Sequence, residues 1–122
     1  MLNLFFIFLG GAIGSGVRFG ILSIFHSFIA TFVANIIGCF LFGVSAVIIL
    51  KKKKYIPKYF SSALTTGFCG GFTTFSTFAS ETAHLFTGSK KDFIQCVTYL
   101  ISSVVLGVFT MFLGMKFISF FA

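Results

Sequence analysis

Between Gly67 and Ser80 the sequence reads Gly-Phe-Cys-Gly-Gly-Phe-Thr-Thr-Phe-Ser-Thr-Phe-Ala-Ser, interleaving glycine, small hydroxyl and thiol side chains and phenylalanine within an apolar stretch. A glycine pair followed by two β-branched threonines continues a helix poorly. Glycine costs roughly 1 kcal/mol against alanine in a helix, and threonine can bond its own backbone instead. A break here exposes backbone carbonyls, which at bilayer depth are tolerated only where protein buries them or a watery cavity meets them. The chemistry this predicts is an ion or solute site. Beyond the break, Phe75 and Phe78 stand on one helical face with Ser76 and Thr77 between them.

Other polar residues inside apolar runs extend this inventory, because each is costly in hydrocarbon unless it faces protein or water. Thr31, Asn35 and Cys39 recur every four residues along one helical face. Thr73, Thr74, Ser76, Thr77, Ser80 and Glu81 follow one another in the next run, with Thr77 and Glu81 one turn apart. Near the C-terminus Thr98 pairs with Ser102 and Tyr99 with Ser103, which leaves the useful face of that helix open. A cation pathway usually shows acidic residues, yet Glu81 is the sole carboxylate within these runs. Phenylalanine ring edges are positively polarised and suit an anion, although packing explains phenylalanines equally well. Glu81 reads either as part of a pathway or as a snorkelling end residue. Arg18 reads either as a snorkelling residue or as a clamp on the carbonyls of a neighbouring helix.

The elements that must position these groups are membrane-spanning helices. With 122 residues, 57% of them apolar and 9% charged, the chain is one domain at most and differs from an ordinary soluble one. Its mean hydropathy of +1.09 agrees. Four apolar runs, Leu4 to Ile24, Ile29 to Leu50, Tyr59 to Phe86 and Phe93 to Phe117, are each long enough to cross a core that needs about 20 helical residues. The expected fold is therefore an all-α integral membrane domain over residues 1–122, with the third of its four helices broken near Gly70 to Thr74. The connections are His26-Ser27, Lys51 to Lys58 and Thr87 to Asp92, with Pro57 just ahead of the third run where a helix start accepts it. Met1-Leu2-Asn3 has no basic segment and no small-residue cleavage site follows, so the first run is expected to stay in the mature protein. Four such helices are too slight to enclose a wide pathway alone, and oligomerisation is the remedy. Gly10 with Gly14 and Gly16 with Gly20 form small-xxx-small pairs suited to packing within the chain or to a dimer contact.

The net charge of +7 does not indicate nucleic acid. Lys51, Lys52, Lys53, Lys54 and Lys58 share one short loop, where the positive-inside rule explains them; anionic lipid is the natural further partner. Counting Lys116 with that loop and Lys90 with Lys91 on the other side predicts both termini inside the cell and a multi-pass protein of the cell membrane. Cys39, Cys69 and Cys96 are odd in number and lack C-x-x-C spacing, so they read as packing residues rather than a disulfide or zinc set. His26 and His84 lie near helix ends without partner ligands, as interfacial or hydrogen-bonded histidines do. No nucleotide-binding glycine pattern follows a strand, no serine, histidine and acid set is present, and enzymatic function is not expected.

Three segments carry a closer resemblance. Gly10-Gly11-Ala12-Ile13-Gly14-Ser15-Gly16-Val17-Arg18-Phe19, Thr31-Phe32-Val33-Ala34-Asn35-Ile36-Ile37-Gly38-Cys39-Phe40 and Gly67 to Phe78 resemble, in order, the signatures of the Fluc (CrcB) fluoride channels. The resemblance implies a passive fluoride-selective channel, exporting cytoplasmic fluoride and working as an antiparallel dimer with two pores. It places Phe75 and Phe78 as pore phenylalanines whose ring edges meet the anion and Asn35 as a pore hydrogen-bond donor. Ser76 and Thr77 would form the adjoining hydroxyl track, with Thr31 and Glu81 near a pore mouth. Gly70 and Thr73 would hold a structural, untransported sodium ion through main-chain carbonyls, and Arg18 matches a signature arginine. Spacing alone puts Tyr99 and Ser103 at the last helix's pore positions.

Two questions stay open in the sequence. An antiparallel homodimer needs a weak basic bias, and this chain's strong one suits a heterodimer with an oppositely oriented homologue. The competing functional classes are a small proton-coupled exporter using Glu81 and a non-transporting membrane assembly subunit.

Overall fold

The computed structural model describes residues 1–25 and 27–121, so the reading of His26 lies outside the described residues. The chain runs through α1 (Leu2–Ile24), α2 (Phe28–Lys51), a helical run of α3 (Lys58–Ser62), a π-helical segment (Ala63–Cys69) and α4 (Gly70–Phe72), then α5 (Phe75–Phe86) and α6 (Lys90–Phe121). Among the described residues there is no strand. Helices α1, α2 and α6 are each long and apolar enough to cross a bilayer.

Local chemistry sets the ends. Ser27 caps α2 by accepting from the Ile29 amide, and Pro57 stands at the N-cap of α3, where no amide is needed. Ser89 and Asp92 form a reciprocal capping box, with the Ser89 amide 2.7 Å from Asp92 Oδ2 and the Asp92 amide 3.4 Å from Ser89 Oγ. That cap starts α6 at Lys90, before the Phe93 expected from hydropathy, and the helix runs on past Phe117 to Phe121.

Packing follows the logic of a lipid solvent. Lipid is as apolar as leucine, so helices associate through close approach of small residues while large apolar side chains face outward. Helix α2 packs chiefly on α6, and its buried positions are Ala30, Thr31, Ala34, Gly38, Gly43, Ser45 and Val47. A side chain at Gly43 would strike the Met111 carbonyl of α6, and one at Gly114 the Phe40 carbonyl of α2, so the two glycines hold one seam from both sides. Helix α1 packs on the π segment in the same reciprocal way: Gly10 and Gly14 abut the carbonyls of Ala63 and Phe68, while Gly67 and Gly71 abut those of Ile7 and Gly11. No glycine takes a positive φ, so close approach is what these positions require. This assigns Gly10 and Gly14 to packing within the chain; Gly16 and Gly20 face open space.

The interruption falls on the threonines. Gly70 remains helical at φ −65° and ψ −38°, whereas Thr73 (φ −77°, ψ 157°) and Thr74 (φ −143°, ψ 111°) are extended. Of the glycine pair that suggested a break, Gly71 instead admits α1, and the β-branched pair after it leaves the helix.

Replacing Gly14 with valine should force α1 off the π segment and lower the melting temperature in detergent. The loss should be of order 1–3 kcal/mol or more, because the opposing atoms are backbone. Gly16→Val, pointing into open space, should leave it nearly unchanged; equal losses at both positions would contradict this packing.

Candidate functional site

The extended residues are held from two helices. On α2, Asn35 Oδ1 accepts from the Thr74 amide at 2.8 Å and its Nδ2 donates to the Thr74 carbonyl at 3.2 Å. The carboxamide thereby satisfies both main-chain groups of a residue only 5% exposed. On α1, Arg18 Nη1 donates to the Thr73 carbonyl at 3.0 Å, and Ser15 Oγ to the Gly71 carbonyl at 3.3 Å. Arg18 is therefore a clamp on a neighbouring carbonyl. Thr74 also starts α5: its Oγ1 accepts from the Thr77 amide at 3.2 Å and donates to Thr77 Oγ1 at 3.0 Å.

Around this joint lies a cleft of about 240 Å³ lined by Asn35, Cys39, Thr73, Thr74, Phe75 and Phe78. Phe75 is 80% exposed at its rim, with its ring centroid 6.1 Å from that of Phe78. Phe78 continues inward to Tyr99 at 5.1 Å. The Tyr99 hydroxyl donates to Glu81 Oε2 at 2.8 Å, and Thr31 Oγ1 donates to Glu81 Oε1 at 2.8 Å. Both oxygens of this carboxylate are thus bonded to hydroxyls of α2 and α6, which is a packed arrangement rather than a snorkelling one. On α6 the inward face is the Tyr99 and Ser103 pair: Tyr99 is buried, and Ser103 Oγ is buried without a partner among the described residues. Thr98 and Ser102 instead donate to their own helix, at Ile94 and Thr98 carbonyls, and line an outer groove with Phe28 and Phe32.

The expected site residues therefore separate into groups. Asn35, Thr73, Phe75 and Phe78 share the central cleft; Thr31, Glu81 and Tyr99 share a second cluster reached through Phe78. Ser76 stands outside the cleft on the exposed face of α5, with its Oγ 3.4 Å from Thr74 Oγ1. Gly70 lies in a different cleft of about 450 Å³, lined also by Gly38, Thr65, Thr66 and Cys69, with Cys39 and Thr73 common to both. It is exposed, with open space where a side chain would be. The lining of this cleft is mostly apolar, and the Thr65, Thr66 and Thr73 hydroxyls are its oxygens of the type a hard cation takes. The Thr73 carbonyl already accepts from Arg18, leaving one lone pair.

Thr74 and Cys39 line the cleft without having been singled out as site residues. The signal for Thr74 was its place at the head of a helix with Thr77 three residues on, the spacing of an N-cap. Cys39 shares the helical face of Thr31 and Asn35.

Comparison with known proteins adds to this geometry. The family model described as "CrcB-like protein, Camphor Resistance (CrcB)" matches residues 5–115. The chain is 41% identical over 121 residues to the fluoride-specific ion channel FluC of Phocaeicola vulgatus, covering 93% of this chain and 96% of that protein. It is 38% identical over 114 residues to fluoride-specific ion channel FluC 2 of Staphylococcus saprophyticus, covering 91% and 92%. To FluC of Gloeothece citriformis it is 39% identical over 121 residues, covering 93% and 94%.

Asn35→Ala should strand both main-chain groups of Thr74 and lower stability by about 1–3 kcal/mol, read as a shift in melting temperature in detergent. Asn35→Asp, which keeps the acceptor for the Thr74 amide, should recover part of the loss in stability. An alanine variant as stable as the parent would show that the joint does not depend on Asn35.

Proposed function

The chain belongs to the CrcB-like family, and we propose that it is a passive fluoride-specific channel of the cell membrane through which cytoplasmic fluoride leaves the cell. The observation that carries this reading is the convergence of Asn35, Phe75 and Phe78 on one cleft beside the interrupted helix.

Fluoride is small and strongly hydrated. A selective path must replace its water with several donors and positive ring edges while avoiding one tight site that would trap it. Hydrogen-bond bookkeeping identifies the donors still free. Asn35 Nδ2 has one N–H committed to the Thr74 carbonyl and a second available. Thr77 Oγ1 accepts from Thr74, which leaves its own proton free, and Ser103 Oγ is unpaired and buried. Phe75 and Phe78, which line the cleft with Asn35, would contribute ring edges. The Tyr99 and Thr31 hydroxyls are turned toward Glu81, so their part is to hold that carboxylate rather than to meet the anion directly.

The four-span single domain is part of the same proposal, with the interrupted run from Lys58 to Phe86 as the third crossing. So is the dimer. Phe75, Ser76, Ala79, Ser80 and Ala83 leave one face of α5 exposed, and hydroxyls at bilayer depth need cover. Small residues four apart on that face suit a second chain's close approach, in the inverted arrangement that the family resemblance implies. A sodium ion would lie between the two chains on the Gly70 and Thr73 carbonyls. It would supply a fixed positive charge that holds the dimer centre. The basic bias favours a homologue of opposite orientation as the partner over a second copy.

Fluoride efflux from liposomes holding the chain together with its oppositely oriented partner should be fast, indifferent to a proton gradient and absent for chloride. Phe75→Ile with Phe78→Ile should leave a folded assembly whose efflux is at least about tenfold slower. Unchanged efflux would remove the rings from the mechanism, and dependence on a proton gradient would move the reading to a coupled exporter using Glu81.

The chain purified alone should be silent in that assay and should conduct once co-expressed with a homologue of opposite basic bias. A conducting dimer of this chain alone, with both orientations present, would sink the heterodimer.

A further inference from the structure

We propose that the Lys51 to Lys58 turn is a binding site for the headgroup of an anionic phospholipid. This rests on the membrane-spanning fold and not on fluoride conduction.

The turn is ordered. The Lys52 amide bonds the Ile48 carbonyl at 2.9 Å, closing α2, and the Tyr55 and Ile56 amides bond the Lys52 carbonyl at 2.8 and 3.0 Å. At its far end Tyr59 lies on Phe6 of α1 with ring centroids 4.7 Å apart, which fixes the turn level with the start of the first helix. Lys51, Lys52, Lys53, Lys54 and Lys58 are all exposed on it. Tyr55 is 81% exposed among them, an amphipathic ring of the kind that sits at headgroup depth.

Among the described residues no acidic side chain on this side neutralises that charge. The protein's two carboxylates lie elsewhere: Glu81 accepts from Thr31 and Tyr99 within the helices, and Asp92 caps the opposite end of α6 through Ser89. Lys116 of α6 adds a further exposed cation toward the same side. Because the turn joins two helices across only a few residues, its ammonium groups stay within the headgroup layer, where lysine stems lie along acyl chains and their heads reach phosphate. A soluble polyanion would have to compete there with lipid already in contact. Each lysine near an anionic surface is worth about fivefold in affinity, so a cluster of this size gives a clear preference over zwitterionic lipid.

The test is native mass spectrometry of the detergent-solubilised assembly titrated with phosphatidylglycerol or with phosphatidylcholine. The parent chain should retain phosphatidylglycerol in preference, and the Lys51, Lys52, Lys53 and Lys54→Gln variant should bind it at least about tenfold more weakly. The corresponding Lys→Arg variant should keep the preference, which separates charge from misfolding. Inorganic phosphate at millimolar concentration should not displace the lipid, since acyl chains hold it against the helices. Equal retention of both lipids by the parent, an undiminished preference in the glutamine variant, or displacement by phosphate would each overturn the proposal.

Discussion

Two successive residues in extended conformation, Thr73 and Thr74, impose the constraint on which the remaining architecture depends. Their peptide groups lie within a helical membrane protein, where an unpaired N–H or C=O costs several kcal/mol. The Thr73 amide still bonds the Cys69 carbonyl at 3.0 Å, and the remaining partners come from outside the interrupted run. Asn35 of α2 takes both groups of Thr74, and Arg18 of α1 takes the carbonyl of Thr73. The break is thus a joint between three segments, and displacing α1 or α2 would strand it.

That dependence explains the placing of the glycines. For Arg18 to reach the Thr73 carbonyl and Ser15 the Gly71 carbonyl, α1 must run close beside the π segment and α4. Gly10 and Gly14 on one side and Gly67 and Gly71 on the other allow that approach. On α2, a side chain at Gly38 would collide with the Thr73 methyl group, so the helix carrying Asn35 also lies against the joint. Small residues are the means by which a membrane protein positions polar groups, because hydrocarbon outside the helices gives no net push inward.

Much of this was legible in the sequence, though unevenly. Apolar runs gave the helices to within a few residues, since a span of about 20 apolar positions has few alternatives. The lining of the central cleft was legible where residue type and spacing coincide, as at Asn35, Phe75 and Phe78. The location of the break within its run was less so: Gly70 and Gly71 weaken a helix on propensity, yet both stay helical, Gly71 packed against Gly11 of α1, and the interruption falls on the threonines. The two readings of Arg18 and of Glu81 were undecidable from periodicity, because what decides each is a partner more than 15 residues away in sequence or on another helix. The same holds for α6, where only the packing against α2 selects Tyr99 and Ser103 over Thr98 and Ser102.

The joint also divides the electrostatics of the chain. A helix accumulates partial negative charge at its C-terminal carbonyls and partial positive charge at its N-terminal amides, about half an elementary charge at each end. Interrupting one helical run at Thr73 and Thr74 therefore creates both ends within it: the carbonyl end at Gly70 to Phe72 and the amide end at Phe75. Gly70 opens to a largely apolar cleft whose polar side chains are Thr65, Thr66 and Thr73, and Phe75 opens to one edged by aromatic rings and the Asn35 carboxamide. Cys39 and Thr73 border both clefts. Arg18 sits on the Thr73 carbonyl between them, where its charge offsets the negative helix end without occupying either cleft. A continuous helix carrying the same side chains would offer neither end, so the extended pair is what lets one short segment present opposite polarities a few residues apart.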